Sequence, residues 1–233
     1  MIALDGVRKA FGARRLLDGV DLALEKGETF GLIGPAGAGK SVLAKILCGL
    51  IAPDAGEVHV DAAPIGMLFQ NNALFDFMTV GDNVAFPLVR QGALGAEEIR
   101  ARVAERLRAV GLAGSEDKFP NELSGGMKKR AALARAVIAR PPVCIFDEPT
   151  AGLDPVTTSK IYDLLRAERD ASGATIVVIS SDVEALRGFA PRMGLLHDGR
   201  LRYDGDARTI GDSDDALVRQ FVSGAIDLPG GPL

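Results

Sequence analysis

The segment GPAGAGKS at residues 34–41 constrains the fold of this chain more than any other stretch. The run before it, TFGLIG at 29–34, lacks polar alternation and predicts a strand that is buried on both faces. The residues after it, 39–50, have a helical pattern. Glycines at such a junction let backbone amides turn inward, and the helix N-terminus adds its positive dipole end. The segment therefore predicts a loop that binds phosphate groups.

The residues of this loop differ in the chemistry that they offer. The loop consists of Gly34, Pro35, Ala36, Gly37, Ala38, Gly39, Lys40 and Ser41, and Val42 follows it. The positively charged Lys40 ammonium would bind the β and γ phosphates of a nucleotide, and the Ser41 hydroxyl would bind Mg²⁺. The expected ligands are therefore a nucleoside triphosphate and Mg²⁺.

Two more apolar runs predict buried parallel strands, VCIFDE at 143–148 and TIVVIS at 175–180. A helical pattern at 156–172 separates them. Strand, helix and strand in this order predict a doubly wound α/β core, in which ligands lie at the carboxyl ends of the strands. With 233 residues and 47% hydrophobic content, the chain is long enough for one sizeable core.

The strand at 143–148 ends in two adjacent carboxylates. Side chains alternate along a strand, so Asp147 and Glu148 should point in different directions. Asp147 would hold hydrated Mg²⁺, and Glu148 is the candidate general base for the attacking water. Such a pair taken alone is more often a solvated turn, but the phosphate loop in the same chain favours the chemical interpretation.

A second anion site is predicted at LSGGM, residues 123–127. Ser124 is a good N-cap, and Gly125 and Gly126 would expose backbone amides at the start of a helix. A capped helix without any ligand also explains this pattern. With the helical pattern at 96–112, it indicates that residues 71–140 form a helical insertion into the α/β core. Short strands with turns are expected at the N-terminus.

Together these motifs resemble the ATP-binding subunits of ABC transporters, from Phe11 to about residue 205. The resemblance implies that residues 34–41 are the Walker A loop, that Asp147 and Glu148 are the Walker B aspartate and catalytic glutamate, and that 123–127 is the signature motif. Further roles in binding ATP and Mg²⁺ are implied for Phe11 (stacking on adenine), Gln70 (the Q-loop, sensing the γ-phosphate and the metal) and Asp154 (the D-loop at 151–154).

The family's architecture implies one domain over residues 1–233. Residues 1–70 and 141–211 would form a P-loop NTPase (RecA-like) α/β core with an N-terminal antiparallel β subdomain, 71–140 an inserted helical subdomain, and 212–233 a tail with one short helix. In this family two subunits pair head to tail, so the signature motif serves the nucleotide of the partner. The expected partner is a second, identical ATPase subunit.

A narrower resemblance concerns LSGGM followed by KKRAALARA, the run GMLFQNNALFDFMTVGDNVAFPL, and the sequence DDALVRQFVSG near the end. These segments are similar to the ATPases of Mla-type, MCE-linked phospholipid transporters. That resemblance implies a multi-span permease as partner, together with an MCE substrate-binding protein and a small STAS-domain protein. It also implies a place at the cytoplasmic face of the inner membrane. An ABC transporter for another substrate is the alternative.

One position departs from the family. A switch histidine that contacts the γ-phosphate normally stands where this chain has Ser181. A serine hydroxyl is shorter and cannot become cationic. Slow hydrolysis is one expectation, and a regulatory subunit that closes on ATP without useful turnover is another. A soluble ABC protein of translation or DNA repair fits less well, because those usually carry two cassettes or a long coiled coil.

Composition and charge indicate which ligands and which cellular location are expected. The net charge of −4 gives no uniform positive field, so nucleic acid is not expected as a ligand. No signal-peptide run and no apolar stretch of about 18 residues occur, which predicts a cytosolic location. Cys48 and Cys144 stand among apolar neighbours and are expected to be reduced.

Overall fold

The computed structural model describes residues 1–225, which divide into two compact units. The first unit comprises residues 1–62 and 175–225, and the second comprises residues 63–174. The strands are β1 (Ile2–Phe11), β2 (Arg14–Leu24), β3 (Thr29–Ile33), β4 (Ala55–Val60), β5 (Ile65–Leu68), β6 (Val143–Asp147), β7 (Thr175–Ile179), β8 (Arg192–His197) and β9 (Arg200–Asp206). The α-helices are α1 (Lys40–Leu47), α2 (Val80–Gln91), α3 (Ala96–Ala109), α4 (Gly125–Val137), α5 (Pro155–Ser172), α6 (Val183–Arg187) and α7 (Ala216–Val222).

The antiparallel β subdomain expected at the N-terminus is present in the first unit. Strand β1 lies between β2 and β4 and pairs with both in antiparallel fashion. The expectation of short strands was wrong, since β1 has 10 residues and β2 has 11. Gly6 and Gly19 have positive φ values of 57° and 85°, and the β1–β2 register shifts close to both residues. Glycines that the sequence presents as turns are therefore bulges within continuous strands.

The predicted parallel strands of the first unit are also present. Strand β3 pairs in parallel with β7 on one side and with β8 on the other, and β9 is antiparallel to β8. Every residue of β3 and β7 is buried. Helix α1 follows β3 as expected, although it begins at Lys40 and ends at Leu47 within the predicted range 39–50. The short helix expected near the C-terminus is α7, and its buried residue is Val218.

The second unit contains the helices of the predicted insertion. Strands β5 and β6 pair in parallel, and α2, α3 and α4 lie between them in sequence. Helix α3 ends at Ala109 rather than 112. Apolar residues at helical spacing bring the three helices together around one core. That core includes Val80, Val84, Leu88, Val103, Leu107, Val110, Leu112, Ala131, Ala134 and Ile138. The exact subdomain boundaries read from the sequence stay a prediction.

Two expectations from composition can be compared with the described residues. Within residues 1–225 no helix is long and apolar enough to cross a membrane. Cys48 and Cys144 are both free thiols, and Cys144 is fully buried; that they are reduced stays a prediction. The segment LPGGPL at 228–233, which the sequence predicts to be flexible, lies outside the described residues.

Candidate functional site

The phosphate loop lies in the first unit, between β3 and α1. Gly34 has φ 152°, and a Cβ atom there would lie 2.2 Å from the backbone oxygen of Leu196. Gly39 has φ 102°, and its Cβ would lie 3.1 Å from the oxygen of Leu16. Both positions therefore require glycine. At these two positions the loop backbone can follow its path only without a side chain, as expected where amides surround phosphate oxygens.

The charged group of the loop is held close to its backbone. The Lys40 Nζ atom donates to the carbonyl oxygen of Gly34 at 2.6 Å and to that of Pro35 at 3.0 Å. Ser41 and Val42 follow in the first turn of α1, and both are half-buried. The ammonium group and the helix N-terminus are thus concentrated at one loop, which fits a polyphosphate ligand.

Phe11 is the last residue of β1 and is 51% exposed. The Nζ atom of Lys9 lies 5.5 Å from the centroid of its ring. An aromatic ring that is half exposed at a strand end offers a flat surface for stacking. The role of Phe11 in binding adenine, implied by the family resemblance, remains a prediction.

The basic residues near the loop include two to which the sequence analysis gave no role. Arg14 begins β2, and its guanidinium donates to the carbonyl oxygen of Gly37 at 3.2 Å. His197 ends β8, and it lines the same cavity of about 260 Å³ as Arg14 and the loop residues 35–38. The sequence places His197 on another strand, but pairing of β3 with β8 brings that strand next to the loop. The sequence did offer a signal for Arg14, because it is the first of two consecutive arginines that directly follow Phe11-Gly12-Ala13.

The turn that contains Ser181 follows β7. Ser180 is buried, and its backbone N–H donates to the oxygen of Leu32 at 3.2 Å. Ser181 is exposed beyond the strand end. The Asp182 side chain caps α6 by accepting from the backbone N–H of Ala185 at 3.0 Å. The Asp182 carboxylate is therefore engaged at a helix N-terminus, where its negative charge is stabilised.

The Q-loop lies in the second unit. Gln70 lies two residues beyond the end of β5 and is exposed. Asn72 and Ala73 have positive φ values of 65° and 50°. The buried guanidinium of Arg135, on α4, donates to the carbonyl oxygen of Ala73 at 2.7 Å and to that of Asn72 at 3.0 Å. Arg135 therefore fixes the turn after Gln70, which the sequence alone did not reveal.

The paired carboxylates stand at the end of β6, as expected. Asp147 is the last residue of the strand and is 3% exposed. Glu148 is half-buried and has φ 53°, the left-handed region that non-glycine residues rarely occupy. Glu148 thus lies outside the strand, so strand alternation does not determine the direction of its side chain. The backbone turn at Glu148 sets its direction.

The signature motif and the D-loop both supply helix caps. The Ser124 hydroxyl accepts from the backbone N–H of Met127 at 3.3 Å, and Gly125 and Gly126 form the first turn of α4. Asp154 caps α5, since its carboxylate accepts from the Thr157 N–H at 3.0 Å and from the Thr157 hydroxyl at 2.6 Å. The hydroxyl bond is the main reason why the pKa of Asp154 lies below its usual value. A direct role of Asp154 in nucleotide binding stays a prediction.

A glycine-dependent phosphate loop between a buried strand and a helix, with acidic residues at a second strand end, defines a P-loop ATPase of the α/β class. Comparison with known proteins narrows this class. The family model described as ABC transporter matches residues 17–151. The chain belongs to the ABC transporter family.

Three relatives match almost the whole chain. Protein TRIGALACTOSYLDIACYLGLYCEROL 3, chloroplastic, of Arabidopsis thaliana is 37% identical over 98% of this chain and 75% of its own length. The Probable ribonucleotide transport ATP-binding protein mkl of Mycobacterium tuberculosis (strain ATCC 25618 / H37Rv) is 39% identical over 96% of this chain and 66% of its own length. The Intermembrane phospholipid transport system ATP-binding protein MlaF of Escherichia coli (strain K12) is 38% identical over 94% of this chain and 87% of its own length.

A solved structure confirms the fold class. A dimeric ATP-binding cassette in a post-hydrolysis state, bound to ADP and Pi, superposes with a TM-score of 0.83 at 33% identity. The match covers 89% of this chain and 99% of that cassette. The predicted ABC-type fold and the ATPase class are therefore confirmed.

Proposed function

We propose that this chain is the ATP-hydrolysing subunit of a transporter that moves phospholipid or a related apolar molecule between membranes. The phosphate loop at residues 34–41 carries the ATPase part of this proposal, because Gly34 and Gly39 leave the space that a backbone cradle for phosphates requires. The lipid part is supported by the names of MlaF and of the chloroplast relative.

The described residues can be given roles in this function. The adenine ring would stack on Phe11, and the Lys40 ammonium would bind the β and γ phosphates. Mg²⁺, which neutralises phosphate charge when bound, would be held by Ser41, Gln70 and Asp147, since hydroxyl, amide and carboxylate oxygens are the ligands that it prefers. Glu148 would accept a proton from the attacking water. The exposed Ser124, Gly125 and half-buried Gly126 would bind the nucleotide of a second copy in a head-to-tail homodimer.

A permease partner is supported by a groove of about 620 Å³ in the second unit. Its lining is mainly apolar and includes Ile65, Met67, Phe69, Phe75, Phe86 and Pro87. Phe77, which is 76% exposed, has its ring centroid 5.8 Å from that of Phe75. A short amphipathic helix of a multi-span permease is the occupant that we propose, which would place the chain at the cytoplasmic face of the inner membrane. An MCE protein and a STAS-domain protein complete the proposed assembly.

Ser181 determines how fast this ATPase would turn over. A hydroxyl gives one neutral hydrogen bond where an imidazole would bring a longer and ionisable donor. Slow but measurable hydrolysis is the proposal, and a regulatory subunit that closes on ATP without useful turnover is its alternative.

The experiment uses the chain purified with its native membrane partners and reconstituted into vesicles. ATP-dependent movement of fluorescent phospholipid to acceptor vesicles is measured for the wild type and for Glu148→Gln, and uptake of labelled ribonucleotide is measured in parallel. We expect phospholipid movement with the wild type and none with Glu148→Gln. Because the mycobacterial relative is named for ribonucleotide transport, ATP-dependent ribonucleotide uptake without phospholipid movement would overturn the lipid proposal. Equal phospholipid movement by both proteins would favour the regulatory alternative.

A further inference from the structure

Helix α4, which begins in the signature motif, carries a buried ammonium group. Lys129 is 6% exposed, although lysines are almost never buried without partners. Its Nζ atom donates to the backbone oxygen of Glu148 at 2.9 Å and to that of Ala151 at 2.7 Å. Lys129 therefore connects α4 to the turn that joins β6 to α5.

The backbone of this turn has an unfavourable conformation at one residue. Glu148 has φ 53°, a left-handed conformation that is unfavourable for a non-glycine residue. Such conformations persist where surrounding contacts determine them, and they are common at functional sites. The backbone dihedrals of Glu148 set the direction of its Cα–Cβ bond, and thereby the direction in which its carboxylate points. A bond to the Glu148 carbonyl oxygen consequently constrains the position of the carboxylate.

The electrostatic environment agrees with this contact. Burial lowers the pKa of Lys129, and the nearby Glu148 carboxylate acts in the opposite direction. The ammonium group therefore interacts with Glu148 in two ways, through a direct bond to its carbonyl and through attraction to its side-chain charge.

We propose that Lys129 is a positioning residue for hydrolysis, which holds the Glu148 turn in its left-handed conformation and links that turn to the helix of the signature motif. Lys129 contacts the backbone of this turn rather than the reacting atoms. The inference rests on the proposed role of Glu148 as general base, since a turn can affect hydrolysis only if its side chain takes part. Small displacements of a catalytic group lower rates far more than they weaken binding, so the effect should fall on kcat.

The test compares variants of the full chain in ATP dissociation constant, kcat and Tm. Lys129→Met removes the ammonium and keeps most of the apolar stem, and Lys129→Gln keeps a neutral donor group. Lys160→Met is the matched control, because Lys160 is an exposed lysine of α5 in the same unit. We expect Lys129→Met to lower kcat about tenfold or more, with the ATP dissociation constant within about threefold of the wild type. The kcat of Lys129→Gln should lie between those of Lys129→Met and the wild type. Lys160→Met should have the kcat of the wild type.

A double variant separates positioning from a general structural role. If Lys129 acts through Glu148, adding Lys129→Met to Glu148→Gln should cause no further loss of kcat. Additive losses would overturn the proposal, and so would a folded Lys129→Met variant whose kcat lies within a factor of two of the wild type. Should Lys129→Met fail to fold, a kcat of Lys129→Gln within a factor of two of the wild type would overturn the proposal instead. Wild-type turnover of Glu148→Gln, by contrast, would refute the proposed role of Glu148 itself.

Discussion

Gly34 of the phosphate loop lies directly against the backbone of Leu196, the penultimate residue of the neighbouring strand β8. A Cβ atom at Gly34 would lie 2.2 Å from the Leu196 oxygen, which is far below any normal contact distance. Because that oxygen belongs to a paired strand, it cannot rotate away as a flexible side chain would. The close approach fixes where the loop leaves β3.

We therefore expect Gly34→Ala to destabilise the protein and to weaken ATP binding together. Overpacking of this kind costs about 1–3 kcal/mol, and the left-handed φ adds strain. Chemical denaturation and a fluorescent ATP analogue measure the two effects. Gly49→Ala is the matched control, since Gly49 also has a positive φ of 69° but has nothing within 4 Å of a Cβ. Equal losses for both variants would show that φ alone matters, and the contact with Leu196 would then be irrelevant.

The elements that the sequence predicted correctly are those determined by residues close to one another in the sequence. Strands β3, β6 and β7 are runs of apolar residues, and the cap at Ser124 depends on a residue three positions away. The phosphate loop belongs to the same group, because glycines and a lysine at fixed spacing form it.

The features that the sequence missed depend on contacts with backbone groups. Lys129 and Arg135 bind carbonyl oxygens of residues that are 19 to 63 positions away, and every residue has a carbonyl oxygen. No residue type therefore marks the partner. The length of β1 was missed for a different reason, since Gly6 is equally suited to a turn and to a bulge.

Arg135 offers a test of how the Q-loop is held. It is 9% exposed, it donates to the oxygens of Asn72 and Ala73, and its guanidinium carbon lies 5.6 Å from the ring centroid of Phe75. Hydrogen bonds from charged groups contribute about 1.5–3 kcal/mol each, so loss of these two bonds in Arg135→Met should lower the free energy of unfolding by about 3–6 kcal/mol.

Urea denaturation measures this loss, and Arg102→Met is its control. The Arg102–Glu98 pair on α3 is about half exposed, so its loss should cost about 0.5 kcal/mol or less. If Arg135→Met were as stable as Arg102→Met, Arg135 would not hold the turn after Gln70.

The two thiols predict a loss of stability at alkaline pH. Burial raises the pKa of Cys48 to about 11 and that of Cys144 to about 12. The folded-state pKa lies above the unfolded value near 9, so the protonated thiol stabilises the fold below pH 9, and this contribution is lost as pH rises towards 11 and 12. For the fully buried Cys144, the loss at pH 10 should be about 1 kcal/mol.

Denaturation of the wild type and of Cys144→Ala at pH 7.5 and at pH 10 measures this contribution. The variant should be less stable at both pH values, because a cavity replaces the sulfur atom, but its difference between the two should be smaller by about 1 kcal/mol. An identical difference in both proteins would mean that the Cys144 thiol does not contribute to the alkaline transition.

Ser181 allows a direct test of what limits turnover. It is exposed immediately beyond β7, and neighbouring Asp182 is engaged as the cap of α6, so a larger side chain at 181 meets no buried core. A positioned donor to developing charge contributes about 10² to 10³ in rate where it is the principal donor, and less where others share the charge. We expect Ser181→His to raise kcat at least about tenfold, with little change in the ATP dissociation constant. Ser159→His, at an exposed position of α5, controls for the addition of an imidazole. A kcat for Ser181→His within a factor of about two of the wild type would mean that the chemical step does not depend on this position.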